Sequence, residues 1–95
     1  YAANRPDAFL LRSLTQVQII SGDIPGALET LDAYATLAPD DGRVEVLRGD
    51  CLREQGRLEA AIDHYERALE IDPHRSGIRA RERISATRDE MAAEG

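Results

Sequence analysis

The chain has 95 residues, of which 42% are hydrophobic and only 4% aromatic, and its formal net charge is −6. This length suits one small domain, and the negative charge argues against nonspecific binding of nucleic acid, which needs a dominant positive field. No apolar run approaches the roughly 20 residues that a membrane-spanning helix needs. We therefore expect a single domain with no membrane span in this segment and no nucleic acid as partner.

Apolar residues at helical spacing predict five helices, and no segment shows the alternation typical of a strand. In chain order, the predicted ranges are about 6–20, 24–37, 41–55, 58–71 and 75–92.

Glycine, proline and aspartate mark the ends of these helices. Gly56 stands between the third and fourth ranges, where a left-handed turn residue ends a helix without Cβ strain. Pro73 ends the fourth helix, because proline cannot continue it. Asp23, and either Asp40 or Asp41, can accept hydrogen bonds from free amides at the starts of the second and third helices.

Two stretches of the chain match each other at a distance of 34 residues. Self-similarity at this period is typical of a solenoid, in which a single repeat cannot bury its apolar face alone. The matching positions are Gly22 and Gly56, Ala27 and Ala61, Leu28 and Ile62, Glu29 and Asp63, Leu37 and Ile71, and Pro39 and Pro73.

Small, aromatic and turn-forming residues stand at fixed spacing in residues 42–75. They are Gly49, Gly56, Ala61, Tyr65, Ala68 and Pro73. At these positions the segment resembles a tetratricopeptide repeat, and residues 8–41 are similar to a weaker copy. The weaker copy has these residues in register: Gly22, Ala27, Leu31 and Pro39. The resemblance implies an all-α fold, a right-handed α-solenoid of helix-turn-helix repeats.

Four positions depart from the family pattern. Thr15 stands where the family prefers glycine, and Tyr34 where it prefers alanine. In the second copy, Arg48 stands at a site usually held by leucine, and Glu45 at one usually held by a large apolar residue. These departures place polar side chains at positions where the family packs its helices.

The expected organisation is one domain over residues 1–95, with repeat 1 at 8–41 and repeat 2 at 42–75. Residues 76–92 are either a capping helix or the first helix of a partial third repeat. Because arrays usually need about three repeats for stability, we expect a fragment of a longer array. The alternative is that the last helix closes a small independent domain.

The resemblance implies that the first helix of each repeat lines a concave groove for a protein or peptide partner. Arginine can hold a carboxylate in two hydrogen bonds, so a partner segment with apolar anchors and some acidic residues would suit this groove. On this chain the groove-facing positions are Phe9, Arg12, Gln16, Ile19, Arg43, Val46, Asp50, Arg53, Ala80, Arg81, Ile84 and Arg88.

The first predicted helix carries apolar residues on more than one side. Leu10, Leu14 and Val17 share the side that we expect to pack within the repeat. Three more apolar residues lie off that side: Phe9, Ile19 and Ile20. They either line the groove or pack against an upstream repeat or a dimer partner. Two functions therefore stay open, a protein-interaction module and a module that joins copies of the chain into a homo-oligomer.

No constellation of residues predicts catalysis, a metal site or a cofactor. Of the two histidines, His64 falls on the polar side of its helix, which predicts an exposed surface residue. No spacing resembles a zinc site and no nucleophile has an evident base. Cys51 lies with Leu47 and Leu52 on its helix, which favours a small buried packing residue over a reactive thiol. We expect no enzymatic activity and no cofactor.

All twelve basic residues are arginine, which is typical of a GC-rich bacterial genome. Proteins that this chain resembles occur in both the bacterial cytoplasm and the periplasm.

Overall fold

The computed structural model describes residues 7–94, which form five α-helices. The helices are α1 (Ala8–Ser21), α2 (Ile24–Leu37), α3 (Arg43–Glu54), α4 (Leu58–Ile71) and α5 (Pro73–Glu94). No strand occurs among these residues. Each predicted range is confirmed to within two residues at both ends, and position 6, which the first predicted range included, lies outside the described residues.

The two turns that link helices within each pair have the same backbone geometry. Gly22 has a φ of 87° and Gly56 a φ of 79°, and no other described residue has a positive φ. Any residue with a Cβ would be strained there, which confirms the turn predicted at Gly56. After the first turn, the Asp23 carboxylate accepts a 3.1 Å hydrogen bond from the Gly26 amide and so begins α2 as predicted.

The starts of α3 and α5 also depend on aspartate, and at α5 Asp72 Oδ1 accepts a 3.3 Å hydrogen bond from the Arg75 amide. Asp41 Oδ1 accepts a 3.0 Å hydrogen bond from the Arg43 amide, which satisfies a free donor at the start of α3. Pro73 is the first residue of α5, two positions earlier than predicted. Proline is tolerated there because its missing N–H has no partner in the first turn of a helix. The α4–α5 connection is therefore a single residue, Asp72.

The helices form two layers. α3 contacts all four other helices, and α1, α3 and α5 lie side by side, whereas α2 and α4 make no contact within residues 7–94. The layer of α1, α3 and α5 is therefore the inner, concave one, and α2 and α4 form the outer layer. This arrangement is an all-α helical-repeat solenoid, as the sequence predicts.

The core has two clusters that share α3. The first lies between α1, α2 and α3 and consists of Leu11, Ala27, Leu31, Tyr34, Val44, Leu47 and Cys51. The second lies between α3, α4 and α5 and consists of Val46, Ala61, Tyr65, Ala68, Ala80 and Ile84. The prediction of a buried packing role for Cys51 is confirmed. Burial, followed by the nearby charges of Asp50 and Glu54, raises the pKa of Cys51 to about 11, so its thiol stays protonated at neutral pH.

One side of α1 does not pack as the sequence predicts. Leu10, Leu14 and Val17 are exposed, and the prediction that this side packs within the repeat is wrong. Leu11 and Thr15 are buried instead, and the Thr15 hydroxyl donates a 2.7 Å hydrogen bond to the Leu11 carbonyl. The physical reason is that α2 and α3 both lie on the Leu11 side of α1.

α5 does not repeat the burial pattern of α3. Ile78 stands 34 residues after Val44, yet Val44 is 4% exposed and Ile78 is 75% exposed. The side of α5 that packs inward carries Ala80, Ile84 and Thr87 instead. α5 is therefore rotated about its own axis relative to the register that α3 sets. The side of α5 that packs on α4 does not correspond to the side of α3 that packs on α2.

Candidate functional site

The concave layer carries two depressions, one towards each end of its helices. The carboxyl-end depression has a volume of about 520 Å³ and is lined by Gln16, Ile19, Ile20, Leu47, Asp50, Arg53, Glu54, Arg83 and Glu90. The amino-end depression has a volume of about 380 Å³ and is lined by Arg12, Arg43, Val46, Arg75, Ser76, Ile78, Arg79 and Glu82. Together they form the concave face.

A third depression lies between α4 and α5. Its volume is about 480 Å³ and it is lined by Glu66, Leu69, Arg81, Ile84, Ser85, Arg88 and Asp89. It opens between an outer-layer helix and the last inner helix. We call it the α4–α5 depression.

The structure divides the predicted groove residues among these places. Four line the carboxyl-end depression: Gln16, Ile19, Asp50 and Arg53. Three line the amino-end depression: Arg12, Arg43 and Val46. Three line the α4–α5 depression instead: Arg81, Ile84 and Arg88. The rotation of α5 explains this last placement, because it turns Arg83 and Glu90 towards the concave face in place of Arg81 and Arg88.

Two predicted groove residues remain. Ala80 is fully buried in the second core cluster, so its placement in the groove is wrong, and Phe9 is exposed on α1. The Arg12 guanidinium lies over its ring, with Cζ 5.5 Å from the ring centroid. This distance is within the range of a cation–π interaction, which holds the two side chains together near the amino end of the helix.

Four of the five charged side chains that line the carboxyl-end depression are paired with one another. Asp50 Oδ1 accepts hydrogen bonds from the Tyr65 hydroxyl at 2.6 Å and from Arg83 Nε at 2.7 Å. Arg53 forms an ion pair with Glu90. Burial, followed by the hydrogen bond to Asp50, raises the pKa of Tyr65, so the hydroxyl remains a donor at neutral pH. These contacts tie α3 to both α4 and α5.

The amino-end depression is dominated by arginine. Arg43 bonds Asp41 in a fork, with Nη2 2.7 Å from Oδ2, and Arg75 Nε lies 2.9 Å from Asp72 Oδ2. Arg12 and Arg79 form no ion pair with any residue between positions 7 and 94. The amino ends of the inner helices also lie here, and their dipoles add positive potential. Sequence reasoning missed Arg75 and Arg79, since it placed a different side of the last helix in the groove.

Asp41 is the buried carboxylate beneath this depression. Besides Arg43, it accepts a 2.7 Å hydrogen bond from the Tyr34 hydroxyl. Burial alone would raise the pKa of Asp41, but the hydrogen bonds from Arg43 and Tyr34 outweigh it and hold that pKa well below its ordinary value. Asp41 is therefore ionised in the folded protein even in mildly acidic solution.

We expect Asp41 to make the fold sensitive to acid. Its pKa is lower in the folded than in the unfolded chain, so its stabilisation is complete above the unfolded value of about 3.9 and is lost as the pH falls towards the folded value. Asp41→Asn removes this titration. Urea unfolding at neutral pH and at about pH 3 should show that the wild type loses about 1–2 kcal/mol more than the variant between the two conditions. Equal losses would contradict the role of Asp41.

On the outer side, a buried glutamate links α3 and α4. Glu45 Oε1 lies 2.7 Å from His64 Nδ1, and Glu45 Oε2 accepts a 2.9 Å hydrogen bond from Arg48. The side chains of Glu45 and His64 are only 8% and 26% exposed, so the prediction of an exposed surface His64 is wrong. Packing of α4 on α3 covers the ring, and the glutamate that departs from the family pattern gives it a polar partner.

The described part of the chain offers no group of three or more histidine, cysteine or acidic side chains that could hold a metal ion. In residues 7–94, no helix combines the length and apolar character required to cross a membrane.

A family model described as tetratricopeptide repeat matches residues 21–76, which is more than half of the chain. The match runs from the last residue of α1 through α2, α3 and α4 to the first turn of α5. No curated protein and no solved structure matches the chain. The family match, the two glycine turns and the layered helix pairs agree, and the chain belongs to the tetratricopeptide repeat family.

Proposed function

We propose that this chain binds an extended segment of a partner protein across its concave face. Tetratricopeptide repeats are non-catalytic modules that generally mediate protein–protein interaction, and they do so on the extended surfaces that stacked repeats create. The proposal adds the chemistry of the segment: an apolar anchor together with one or more acidic residues.

The observation that carries this proposal is the division of the concave face. The amino-end depression is lined by four arginines and one glutamate. The carboxyl-end depression is lined by Ile19, Ile20 and Leu47 together with three acidic residues and two arginines. A segment lying over both would place acidic residues at the amino-end depression and an apolar side chain at the carboxyl-end depression.

The arginines differ in how readily they can accept a new partner. Arg53 and Arg83 are already bound to Glu90 and Asp50, so a ligand would have to compete with those carboxylates. Arg12 and Arg79 form no ion pair with a described residue, and both line the amino-end depression. Arg12 donates one 3.4 Å hydrogen bond to the Tyr34 hydroxyl, and its other N–H groups are available. Each of the two arginines can therefore donate two hydrogen bonds to a carboxylate without breaking an ion pair. We therefore assign the recognition of acidic residues to Arg12 and Arg79.

Charge reversal at these two positions tests the assignment. A displayed library of random peptides is selected on the wild-type chain, and the consensus peptide is labelled and titrated by fluorescence anisotropy. We expect Arg12→Glu combined with Arg79→Glu to weaken binding of that peptide at least about tenfold, which corresponds to 1.4 kcal/mol. The far-ultraviolet circular dichroism of the variant should equal that of the wild type.

Arg81→Glu is the matched control, because Arg81 is an exposed arginine on the same helix as Arg79 but lines the α4–α5 depression. We expect its affinity for the consensus peptide to stay within about twofold of the wild type. Unchanged binding in the double variant, or an equal loss in Arg81→Glu, would remove the concave face as the binding site. A selected consensus without acidic residues would contradict the assigned chemistry.

A further inference from the structure

The exposed apolar residues of this protein are concentrated on α1. Five of the nine large apolar side chains exposed in the described structure lie on this helix: Phe9, Leu10, Leu14, Val17 and Ile20. They fall on one half of the helix, away from the side that packs on α2 and α3. We call this half the outward side of α1. A contiguous apolar surface of this kind usually marks an interface.

The outward side of α1 also lacks charge. Arg12 is the only ionisable side chain between Ala8 and Ser21, whereas the whole chain carries a net charge of −6. Two copies of a chain with this charge repel each other over most of their surface. α1 is the helix at which two copies can approach without opposing like charges on the contacting side chains.

The opposite end of the array has a different chemistry. The exposed side of α5 carries both acidic and basic residues, namely Arg79, Arg81, Glu82, Arg88 and Asp89. Placing the outward side of α1 against this surface would bury charges without partners, which is costly. Stacking of one copy on the far end of the next is therefore disfavoured, and the apolar side of α1 is best matched by itself.

We infer that the outward side of α1 is the contact between two copies of this chain, related by a two-fold axis. In such a contact the same patch meets itself. Leu10, Leu14 and Val17 follow one another at spacings of four and three residues, which is the spacing of a two-helix seam. We place the two-fold axis perpendicular to the helices, so that the two α1 helices run antiparallel. The amino end of each α1 then lies beside the carboxyl end of the other, which the helix dipoles favour.

The repeat geometry supports the same contact. Val44 and Cys51, which stand 34 residues after Leu10 and Val17, are buried against α2. The outward side of α1 thus occupies the position at which α3 receives another helix. In the two-fold pair a second α1 supplies that helix, and the two charged α5 helices lie at the far ends of the assembly.

One helix side is smaller than the roughly 20–30 residues that each partner contributes to a standard stable interface. We therefore expect a reversible dimer whose population depends on concentration. Ile20 belongs both to the outward side of α1 and to the carboxyl-end depression, whereas the other residues that line the concave face do not belong to the outward side. The inference does not rest on the proposed peptide binding.

Sedimentation equilibrium of the 95-residue chain over about a hundredfold range of concentration tests the inference. The mass of the wild type should rise from 10.5 kDa towards twice that value. Leu14→Glu combined with Val17→Glu should remain at 10.5 kDa throughout, with unchanged helicity. Ile78→Glu is the matched control, because Ile78 is an exposed apolar residue on α5, and its dimer should persist.

A second measurement does not depend on the folding of the glutamate variant. Leu14→Cys should form a disulfide-linked dimer on mild oxidation, whereas Ile78→Cys should not, and Cys51 is buried in both. A wild type that stays at 10.5 kDa at the highest concentration would overturn the inference. So would a dimer that survives in the Leu14→Glu, Val17→Glu variant, or equal cross-linking at positions 14 and 78.

Discussion

Replacing Gly49 with alanine is expected to destabilise the fold by about 1–3 kcal/mol, the usual cost of overpacking a core. A Cβ at this position would lie 2.7 Å from Tyr65 Cδ1 and closer still to Cε1. The tyrosine ring is fully buried, and its hydroxyl is held by Asp50, so it cannot move aside without losing that hydrogen bond. Alanine has the better helix propensity by about 1 kcal/mol, but the clash is larger. Urea unfolding measures the difference.

Gly77→Ala is the matched control for this substitution. Gly77 is also a buried glycine within a helix, but the nearest atoms that a Cβ there would meet are Arg81 Nη1 at 3.4 Å and Leu69 Cδ2 at 3.9 Å. Both distances are ordinary contacts with the ends of flexible side chains. We expect this variant to gain up to about 1 kcal/mol from helix propensity. If Gly49→Ala were as stable as Gly77→Ala, the result would contradict the close approach of α3 and α4 at Gly49 and Tyr65.

Replacing Asp50 with leucine is expected to cost about 2–4 kcal/mol. The carboxylate accepts hydrogen bonds from Tyr65 on α4 and Arg83 on α5. Without it, the Tyr65 hydroxyl is left buried without this partner and Arg83 loses its ion pair. The loss should appear in both thermal and urea unfolding.

A double-mutant cycle with Tyr65→Phe separates the contribution of the Tyr65–Asp50 hydrogen bond from the other effects of replacing Asp50. Phenylalanine has no hydroxyl, so replacing Asp50 leaves no buried donor without a partner. Asp50→Leu should therefore cost about 1–2 kcal/mol less in the Tyr65→Phe background. Asp32→Leu is the surface control, since Asp32 is 79% exposed in its ion pair with Arg48. It should change stability by no more than about 0.5 kcal/mol. A purely additive cycle would contradict the Tyr65–Asp50 hydrogen bond.

The helix order and the two turns could be predicted from sequence because local chemistry determines them. A left-handed turn needs glycine, which places Gly22 and Gly56 between helices. Asp23 and Asp41 mark the starts of α2 and α3, because their carboxylates accept hydrogen bonds from backbone amides two or three residues later. The 34-residue match then sets how the first four helices pair.

The orientation of α5 could not be predicted in this way. No second copy of residues 76–92 exists in the chain, so only the register of α3 could be extended to it. That extension places Ala80 and Ile84, the counterparts of Val46 and Asp50, in the groove, whereas the structure buries both against α4 and turns Arg83 inward instead. The side on which a terminal helix rests depends on tertiary contacts, which a repeat pattern does not encode.

The contact between Glu45 and His64 could not be predicted from the sequence either. The sequence marks Glu45 as a departure from the family pattern but gives no partner for it. His64 is 19 residues away, and only the distance between α3 and α4 brings the two side chains within 2.7 Å.

The hydrogen bonds between the two buried tyrosine hydroxyls and their carboxylate partners also make the stability of the fold depend on pH in alkaline solution. Tyr34 and Tyr65 donate to Asp41 and Asp50, and burial, followed by these carboxylates, raises the pKa of both phenols. An unfolded chain releases phenolic protons near a pH of about 10, at which the folded chain still holds them. The stability that these protons contribute is complete below that pH and declines above it. In alkaline solution, unfolding would therefore be accompanied by loss of the phenolic protons of Tyr34 and Tyr65, the two tyrosines whose hydrogen bonds connect neighbouring parts of the fold.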